Sequence, residues 1–474
     1  MNISISATTI TRDRIKKALL DFLDQYMSDK KDFPELLRLT VPMPEINLLA
    51  WLKNQAVDQK IYWFDKKTGL EVAAVGVADM VAGAQVENYA AVIGRVMKYA
   101  GNENFDGKYY GGFSFYKDIA PDDIWADFGA YRFILPRFEI IRKDGVYTFV
   151  CNFIQPEVES VFAVARELEV LNFQEVSFNH ETSKLSDFIT RPDKTQWREM
   201  IRTALRHIRQ AEYEKIVLAR EIELQFLSHI DPFSLMSVLR ERNSQTINFC
   251  IQNGKHQVFL GSTPEMLYRR TDREILSEAV AGTRPRGRNA AEDLALAMAL
   301  QTSEKEVREH GFVAESLRRN LDRLTDKLES AGEVTVLKLA RIQHLYLPFS
   351  GILKAGVTDG DILEALHPTP AVGGFPEKSI LPILKETEPF NRGWYAAPIG
   401  WIGAGESAFS VAIRSALVTR NKIMLYSGAG IVEGSSPDNE WDELENKLFH
   451  FKRILGVDGQ SLEKHQQLLG ISSY

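Results

Sequence analysis

Two pairs of apolar, strand-like runs, each joined by a short polar segment, constrain the fold of this chain more than any other feature. The first pair covers 130–142 and 146–153, joined by Lys143-Asp144-Gly145, and the second covers 409–417 and 422–427. Long apolar runs joined in this way are typical of β-hairpins. We therefore expect each of the four runs to be a single strand, with antiparallel sheet in both halves of the chain.

Further patterns predict strands and helices along the rest of the chain. Helical spacing of apolar residues predicts helices over 11–27 and 196–211, and helical structure from 290 to about 330. More apolar runs predict strands at 61–64, 72–77, 109–115, 215–226, 247–252, 257–260, 266–269 and 274–280. Strand runs with inserted helices favour an α+β fold of packed antiparallel sheets over a βαβ alternation.

A polar stretch at 176–194 is the expected join between two halves of the chain. It separates an N-terminal sheet-rich half, residues 1–190, from a C-terminal region, residues 195–460, in which we expect the active site. Residues 461–474 are expected to form a tail. The length of 474 residues is compatible either with two domains or with one large two-sheet unit.

Composition limits the classes of partner. Hydrophobic residues make up 45% of the chain and its formal net charge is −7, which argues against binding nucleic acid or anionic membranes and favours a small-molecule partner. Cys151 and Cys250 show no CxxC spacing and no cysteine–histidine cluster, which suits a reducing compartment. Since no long apolar segment or signal-peptide pattern is present, a cytoplasmic protein is expected.

The stretch 426–447 (YSGAGIVEGSSPDNEWDELENK) carries the densest set of candidate residues. The pattern predicts the end of a strand, a glycine-rich turn, and a helix with Glu440, Glu443 and Lys447 at helical spacing. The turn can hold an anion and the helix can hold a metal. The alternatives are that the glycines only turn the chain and that Glu443 and Lys447 form an exposed salt bridge.

Two pairs of glutamates are candidates for a magnesium (Mg2+) site. Glu306 and Glu309 lie three residues apart in a predicted helix, as do Glu440 and Glu443 in another. Magnesium needs few protein carboxylates and leaves positions open for water and an anionic ligand. In a chain with 64 acidic residues, such pairs also occur simply as solvated side chains.

Lys215 and Glu265 are candidates for a general base and a general acid. Lys215 begins an apolar strand, and a lysine that loses its contact with water becomes a better base. Glu265 follows Pro264 in a predicted turn, where a buried carboxyl group would stay protonated and could act as an acid. The alternatives are a lysine that reaches water from the end of its strand and an exposed glutamate.

Three other segments are candidates for binding an anion or for catalysis. Residues 281–284 are expected to end a strand in a turn with free backbone donors, and Arg414 is expected inside an apolar strand. If only one face of that strand is buried, Arg414 simply points outward. His367 lies in a loop rich in proline and glycine (LHPTPAVGGFP), where a structural role and a catalytic role are both open.

Taken together and in this order, four motifs resemble the chorismate-utilising enzymes, and among them the isochorismate synthases. They are AGTRPRG at 281–287, HPTPAVGGFP at 367–376, the apolar run with Arg414, and the segment ending at Lys447. The resemblance covers about 194–456 strongly and the N-terminal half only through YYGGFSF. It implies an anthranilate-synthase-like fold, in which two large antiparallel sheets pack as a sandwich with flanking helices.

The resemblance also implies a role for each matching residue. Lys215 would activate water, and Glu265 would protonate the departing hydroxyl group of chorismate. Glu309 and Glu443 would bind magnesium, and Glu306 and Glu440 would hold metal-bound waters. Positions around the substrate's carboxylates or in the pocket wall would be Gly282, Thr283, Ala371, Tyr395, Arg414, Gly428 and Lys447. The implied reaction is the isomerisation of chorismate to isochorismate by addition of water and loss of the ring hydroxyl group, with Lys447 pointing at the substrate.

Related activities remain alternatives at this point. Salicylate synthases share nearly all these motifs and then eliminate pyruvate, whereas anthranilate synthases use ammonia and generally have glutamine at the position of Lys215. Aminodeoxychorismate synthases also have lysine there, but the HPTPA loop favours water chemistry. A non-catalytic binding protein need not keep Lys215, Glu265, Glu309 and Glu443 together. The N-terminal half and WYAAPIGW look more like enzymes of menaquinone or phylloquinone biosynthesis than of siderophore biosynthesis, and the family suggests a monomer or weak homodimer.

Overall fold

Two large β-sheets with helices around them make up the fold. The computed structural model describes residues 1–5, 12–29, 35–119, 122–154, 158–178, 183–243, 245–330, 332–339 and 342–457. The predicted tail, 461–474, lies outside the described residues. Strands are numbered β1–β23 and helices α1–α11 along the chain.

In the described parts of the chain, the larger sheet has thirteen strands, in the order β1-β2-β9-β8-β4-β3-β12-β13-β22-β23-β11-β10, with β19 paired to β11. All its pairs are antiparallel except β1 with β2. Its strands are β1 (Asn2–Ser4), β2 (Leu36–Met43), β3 (Lys60–Asp65), β4 (Leu70–Val75), β8 (Phe138–Lys143), β9 (Val146–Ile154), β10 (Leu185–Arg191), β11 (Lys215–Phe226), β12 (Ile247–Asn253), β13 (Gln257–Thr263), β19 (Gly374–Phe375), β22 (Ser415–Thr419) and β23 (Lys422–Ile431).

The smaller sheet has ten strands among the described residues, in the order β16-β18-β15-β14-β21-β20-β6-β7-β5, with β17 paired to β18. Its strands are β5 (Asp79–Gly83), β6 (Tyr109–Phe113), β7 (Tyr131–Leu135), β14 (Met266–Thr271), β15 (Glu274–Pro285), β16 (Thr325–Ser330), β17 (Thr335–Lys338), β18 (Ile342–Leu353), β20 (Pro398–Gly403) and β21 (Glu406–Val411).

Eleven α-helices occur among the described residues, and none of them is long and apolar enough to cross a lipid bilayer. They are α1 (Arg12–Asp29), α2 (Leu48–Lys53), α3 (Tyr89–Ala100), α4 (Val158–Val170), α5 (Lys194–Arg209), α6 (Pro232–Arg242), α7 (Ala290–Thr302), α8 (Glu304–Leu324), α9 (Asp359–Leu366), α10 (Glu377–Thr387) and α11 (Pro437–Ile454).

The larger sheet is buried on both faces. On β12, Phe249 and Ile251 belong to a core shared with residues of the smaller sheet, whereas Cys250 between them belongs to a second core that includes residues of α1, α2, α4, α6 and α11. Successive side chains of a strand point to opposite faces, so the first core lies between the sheets and the second lies under the helices. The predicted α+β fold of two packed antiparallel sheets with flanking helices is confirmed.

Strands from both sides of the predicted join lie in the same sheets. In the larger sheet β3 pairs with β12, with Trp63 opposite Phe249. In the smaller sheet β6 pairs with β20, with Gly112 opposite Ile399. Each sheet is therefore continuous from the N-terminal to the C-terminal part of the chain.

Both predicted hairpin turns are confirmed, but two of the predicted single strands are wrong. The turn between β8 and β9 has positive φ at Asp144 (51°) and Gly145 (79°), as a tight hairpin requires. The run 130–142 breaks after β7, and the run 409–417 breaks after β21; in each case the chain then crosses to the other sheet. Pro136, which has no N–H group for a sheet hydrogen bond, marks the first break.

The helical stretch predicted from 290 to about 330 ends earlier than expected. Helix α8 stops at Leu324, and the next six residues form β16, which pairs with β18 at the edge of the smaller sheet. The pairing partner is distant in the sequence, so local helical spacing could not reveal this strand.

Candidate active site

Lys215 is held in the interior at the start of β11. The side chain of Lys215 is fully buried, so it does not reach water from the end of its strand. Its Nζ lies 3.0 Å from Oε1 of Glu309 on α8, an ion pair whose angles fall outside hydrogen-bond geometry. A buried lysine therefore faces a carboxylate across the gap between the larger sheet and α8.

The glycines at 428 and 430 do not form the predicted turn, because they lie inside strand β23. They pair with Ala219 and Val217 of β11. A Cβ atom on Gly430 would lie closer than 3.0 Å to Oε1 of Glu309, and one on Gly428 would lie 3.1 Å from the hydroxyl oxygen of Tyr395. Glycine is thus needed here because the side chains of Glu309 and Tyr395 pass directly over the strand, and not because the chain turns.

Glu265 lies where the chain passes from β13 in the larger sheet to β14 in the smaller one. The backbone N–H of Glu265 donates a hydrogen bond to Oγ1 of Thr263 (3.2 Å), and the carbonyl oxygen of Glu265 accepts one from Val411 N (3.1 Å). Burial raises the pKa of the Glu265 carboxyl group to about 7, although Lys215 opposes the shift. Glu265 is thus a buried carboxyl group and not an exposed turn residue, and a large fraction of it is protonated at neutral pH.

Arg414 lies at a second crossing point and not inside a strand, as the sequence had predicted. The chain leaves the smaller sheet after β21, and Arg414 adopts a left-handed conformation (φ 51°) before β22 begins in the larger sheet. Its carbonyl oxygen accepts a hydrogen bond from Ser262 N (3.1 Å), and its Nη1 donates to the carbonyl oxygen of Lys447 (3.1 Å). The two crossings therefore lie side by side and place Glu265 and Arg414 on the same cleft.

Gly282 and Thr283 lie within β15, which continues to Pro285 where the sequence predicted a turn. A β-bulge interrupts the pairing with β18 at Gly282, whose φ is +70°. Thr283 N donates a hydrogen bond to Oε2 of Glu306 (3.2 Å), and a Cβ atom on Gly282 would lie 3.0 Å from the same oxygen. The bulge therefore brings the backbone against the carboxylate of α8.

Helix α11 carries Glu440, Glu443 and Lys447 to the cleft. Ser436 caps its N-terminus by accepting a hydrogen bond from Asn439 N, and Pro437 is its first residue. Nζ of Lys447 lies 2.7 Å from Oε1 of Glu443 and donates to the carbonyl oxygen of Gly428 (2.7 Å). The salt bridge that we weighed from the sequence is therefore present, but it lies in the wall of the cleft and not on an exposed helix face.

One cleft collects most of the residues that the sequence predicted for the site. Lys215, Glu306 and Glu440 do not line it. Lys215 lies behind Glu309, Glu306 lies behind Thr283, and Glu440 lies beside Glu443. His367 is not part of it, because its Nε2 lies 3.2 Å from the carbonyl oxygen of Phe115 on the other side of the loop. The predicted residues that line the cleft are Glu265, Gly282, Thr283, Glu309, Ala371, Tyr395, Arg414, Gly428, Glu443 and Lys447.

Four carboxylates from α8 and α11 influence one another beside the cleft. Burial raises the pKa of Glu306, with Glu309 and Glu443 adding to the shift, and burial also raises the pKa of Glu440. Although burial opposes it, Lys447 holds the pKa of Glu443 below its ordinary value. Clustered carboxylates of this kind repel one another unless a cation is shared between them.

The carboxylate oxygens of these two helices suit magnesium better than a metal that requires a closed cage of protein ligands. Within the described parts of the chain, no group of three or more His, Cys, Asp or Glu side chains is close enough to hold a metal ion. Oε1 of Glu440 accepts a hydrogen bond from Lys305 (2.7 Å), whereas the buried Oε2 has no hydrogen bond of good geometry, although Ser435 is nearby. The unsatisfied oxygen of Glu440 is free to accept a hydrogen bond from a metal-bound water.

His344 lines the same cleft and was missed from the sequence. Its Nδ1 lies 3.0 Å from the carbonyl oxygen of Gly282 and 3.1 Å from Oγ1 of Thr283. Burial, aided by Arg414, lowers its pKa to about 4, so the ring is neutral at pH 7. Because a carbonyl oxygen only accepts, Nδ1 carries the proton and Nε2 offers a lone pair. A single histidine in an ordinary strand pattern gave no sequence signal for this arrangement.

Arg392 lines the cleft as well and was also missed. It forms a fully buried ion pair with Glu388 (2.6 Å) and donates to the carbonyl oxygens of Val372 and Val217 (2.7 Å each). Since Val372 belongs to the loop with Ala371 and Val217 belongs to β11, Arg392 fastens that loop to the strand of Lys215. No periodic pattern surrounds Arg392, so the sequence offered no reason to select it.

The family of the chain follows from comparisons with known proteins. The family model described as "Chorismate binding enzyme" matches residues 21–456. The chain belongs to the chorismate-binding enzymes. It is 35% identical over 364 residues to the chloroplastic isochorismate synthase of Catharanthus roseus, a match that covers 73% of this chain and 61% of that protein. The chain thus spans less than two thirds of that plant relative's length.

Two bacterial relatives match this chorismate-binding chain over almost their full length. Isochorismate synthase MenF of Haemophilus influenzae is 29% identical over 442 residues, which cover 91% of this chain and 97% of that protein. The structure of MenF, the menaquinone-specific isochorismate synthase of Escherichia coli, superimposes with a TM-score of 0.83 at 27% identity, covering 94% of this chain and 99% of that one. The similarity therefore includes the N-terminal half, for which the sequence motifs had offered little support.

Proposed function

We propose that this chorismate-binding chain is an isochorismate synthase, an isomerase that converts chorismate into isochorismate. One observation carries the proposal: a buried carboxyl group with a pKa of about 7, Glu265, lines a cleft that also holds Arg414 and Lys447, and a fully buried lysine, Lys215, lies directly behind Glu309 in the cleft wall. Replacing one hydroxyl group of a dianionic substrate by another requires this set, namely a base, an acid and cations. The names of the relatives support the same activity.

In the proposed reaction, Lys215 and Glu265 move protons at the two hydroxyl positions of the substrate. Lys215 takes a proton from the water that attacks the ring, and Glu265 gives its proton to the hydroxyl group that leaves. The general base and the general acid each contribute about 10²–10⁴-fold to the rate in typical enzymes. Burial of both groups keeps bulk water away from the reacting atoms.

The remaining cleft residues are proposed to bind and orient chorismate. Arg414 and Lys447 would face its carboxylates, with the backbone around Gly282, Thr283 and Gly428 beside them. Tyr395, stacked on Tyr426 with ring centroids 5.1 Å apart, would form a flat wall for the ring together with Ala371. His344 would accept a hydrogen bond from a substrate hydroxyl group through its unprotonated Nε2.

Magnesium is the proposed cofactor, with Glu309 and Glu443 as direct ligands and Glu306 and Glu440 holding metal-bound waters. When bound, the ion would neutralise and orient a substrate carboxylate. We expect Glu443→Gln to raise the magnesium concentration needed for half-maximal activity by about tenfold or more, because one ligand charge is lost. Titration of activity with magnesium measures this, and an unchanged requirement would remove Glu443 from the site. Asp361→Asn, on the N-terminal turn of α9, is the matched control.

The activity is tested by incubating the purified chain with chorismate and magnesium and separating the products by chromatography. Isochorismate supports the proposal, salicylate with pyruvate would show that elimination follows, and anthranilate formed only with ammonia would show a different nucleophile. No turnover would contradict the proposed activity. Menaquinone or phylloquinone biosynthesis is the pathway we propose, because the two proteins that match more than nine tenths of the chain, from Haemophilus influenzae and Escherichia coli, are named MenF.

A further inference from the structure

Glu265 lines a second, smaller cavity in addition to the substrate cleft. This cavity lies between β14, α8 and the loop after α9, and its polar lining residues include Ser316, Asn320 and Thr369. Its volume is about 10 Å³, which is room for about one water molecule. The carboxyl group of Glu265 therefore contacts two separate compartments.

The buried hydroxyl group of Thr369 indicates that the small cavity holds a polar occupant. Thr369 Oγ1 is buried and interacts with the carboxyl group of Glu265, which lowers the pKa of that group, but the geometry of this contact falls short of a good hydrogen bond and leaves room for a further partner. Buried hydroxyl groups are nearly always hydrogen-bonded, and a bridging water is the usual partner in a polar cavity of this size. A water there would connect Thr369 and Glu265.

Polar residues of α8 lie between the small cavity and a larger cavity that is open to solvent. Asn320 lines both the small cavity and a much larger open one, and its Nδ2 donates to Oγ of Ser316 (3.4 Å). Ser316 in turn donates to Oε1 of Glu377, which lines the open cavity. Polar groups therefore run from Glu265 to solvent without passing through the substrate cleft.

The proposed reaction, on which this inference rests, requires such a connection. In each turnover Lys215 gains a proton from water and Glu265 loses one to the departing hydroxyl group, which leaves as water. Before the next turnover Lys215 must lose that proton and Glu265 must gain one, although only 7% of Glu265 is exposed. Product in the cleft would block the direct route to Glu265.

We propose that Glu265 regains its proton from the open cavity, along Glu377, Ser316 and the small cavity at Thr369, with Asn320 holding Ser316 in position. The proton comes from solvent, and each carboxyl group, hydroxyl group or bridging water along the route accepts one proton and passes one on, so that the carboxylate of Glu265 becomes a carboxyl group. The amide nitrogen of Asn320 only donates and so does not carry the proton. The proton that Lys215 gained returns to solvent, which restores both groups for the next turnover. The route separates the supply of protons from the entry of substrate. Asn320 and Ser316 are therefore proposed to serve the reaction without touching the substrate.

The test compares a single turnover, measured with enzyme in excess, with steady-state turnover on the magnesium-loaded full chain. The first turnover uses the proton already on Glu265, so in Asn320→Leu its rate constant should stay within about twofold of the wild-type value. The steady-state kcat should fall about tenfold or more, and small acids such as acetic acid should restore it. Ser316→Ala should show the same pattern with less change in side-chain volume, so the test survives if Asn320→Leu fails to fold.

Glu278→Gln is the matched control, because Glu278 lines the same small cavity but binds Tyr346 and Lys67 and not Glu377. Its ratio of single-turnover to steady-state rate should equal that of the wild type. Three results would each overturn the route. The Asn320 and Ser316 variants could lose the single-turnover rate and the steady-state rate equally, or they could lose neither rate. The third is a changed ratio of these two rates in the Glu278 variant only. Absence of isochorismate with the wild-type chain would instead refute the proposed activity and the route with it.

Discussion

At the scale of single residues, the protonation state of Glu265 determines the pH range of the proposed reaction. Burial raises the pKa of this carboxyl group to about 7. A general acid works only when protonated, so the active fraction is complete well below this pH and is lost as the pH rises through it. We expect kcat/KM for chorismate to fall about tenfold per pH unit above about pH 7, as measured in a pH–rate profile.

The variant Glu265→Gln is the control for that profile. Glutamine has nearly the same shape but cannot donate a proton in this way, so the rate should fall by about 10²–10⁴-fold. The decline centred near pH 7 should disappear from the residual activity. If the same decline persisted in the variant, a group other than Glu265 would be responsible for it.

Gly430 tests whether the glycines of β23 are needed for the close approach of functional side chains. In Gly430→Ala the added methyl group would overlap Oε1 of Glu309 and press on Cε of Lys215, so we expect activity to fall about 100-fold while the fold is kept. Gly94→Ala is the matched control, because a Cβ atom there meets nothing within 4 Å. Activity assays and circular dichroism of both variants check this, and an active Gly430→Ala variant would contradict it.

At the scale of secondary-structure elements, the crossings between sheets explain what the sequence could and could not predict. Periodicity located β11 at its observed bounds, because every signal for that strand is local. It could not show that the apolar run around Arg414 contains a change of sheet, because both parts are buried and equally apolar. Glu265 and Arg414 were found through motifs, yet their proximity depends on two such crossings lying side by side.

The same limit explains the two missed residues. His344 and Arg392 matter because of groups far away in sequence, the carbonyl oxygen of Gly282 for one and those of Val217 and Val372 for the other. The pairing of Glu443 with Lys447, four residues apart on one helix, could be weighed from the sequence, whereas only the structure shows that Glu309 is paired with Lys215. Local patterns can thus indicate residue types and partners within one element, but not partners that are distant in the sequence.

The ion pair of Arg392 and Glu388 provides a test at this scale. Both side chains are buried, and removing one partner of a buried ion pair typically costs about 3–5 kcal/mol. We expect Arg392→Met to lower the free energy of unfolding by about that amount in urea denaturation, and to lower activity because the Ala371 loop loses its link to β11. Adding Glu388→Gln should recover part of the stability, since the unpaired carboxylate is then gone. A double variant less stable than the single one would contradict this reading.

At the scale of the whole molecule, the N-terminal half supports a site that none of its described residues line. Among the described parts of the chain, the residues that line the cleft lie between Val217 and Lys447. The loop that carries Tyr395, however, is held from the other half: Phe115 N donates to the carbonyl oxygen of Gly393 (2.7 Å), and Nε1 of Trp394 donates to that of Gly129 (2.9 Å). The division into a sheet-rich half and a catalytic region stays a prediction, and these contacts lead us to expect that the catalytic region depends on the other half.

This dependence predicts that residues 195–457 will not form a stable protein by themselves. Without residues 1–194, the edges of β12 and β20 would be exposed, because their partners β3 and β6 would be missing. The apolar core between the sheets would be exposed as well. We expect the fragment to be insoluble or unfolded when expressed alone, and soluble when expressed together with residues 1–194. Sedimentation of the cell extract and circular dichroism measure this. A soluble, folded fragment that binds chorismate would show that the N-terminal half is dispensable, and that the contacts to Gly393 and Trp394 do not position Tyr395.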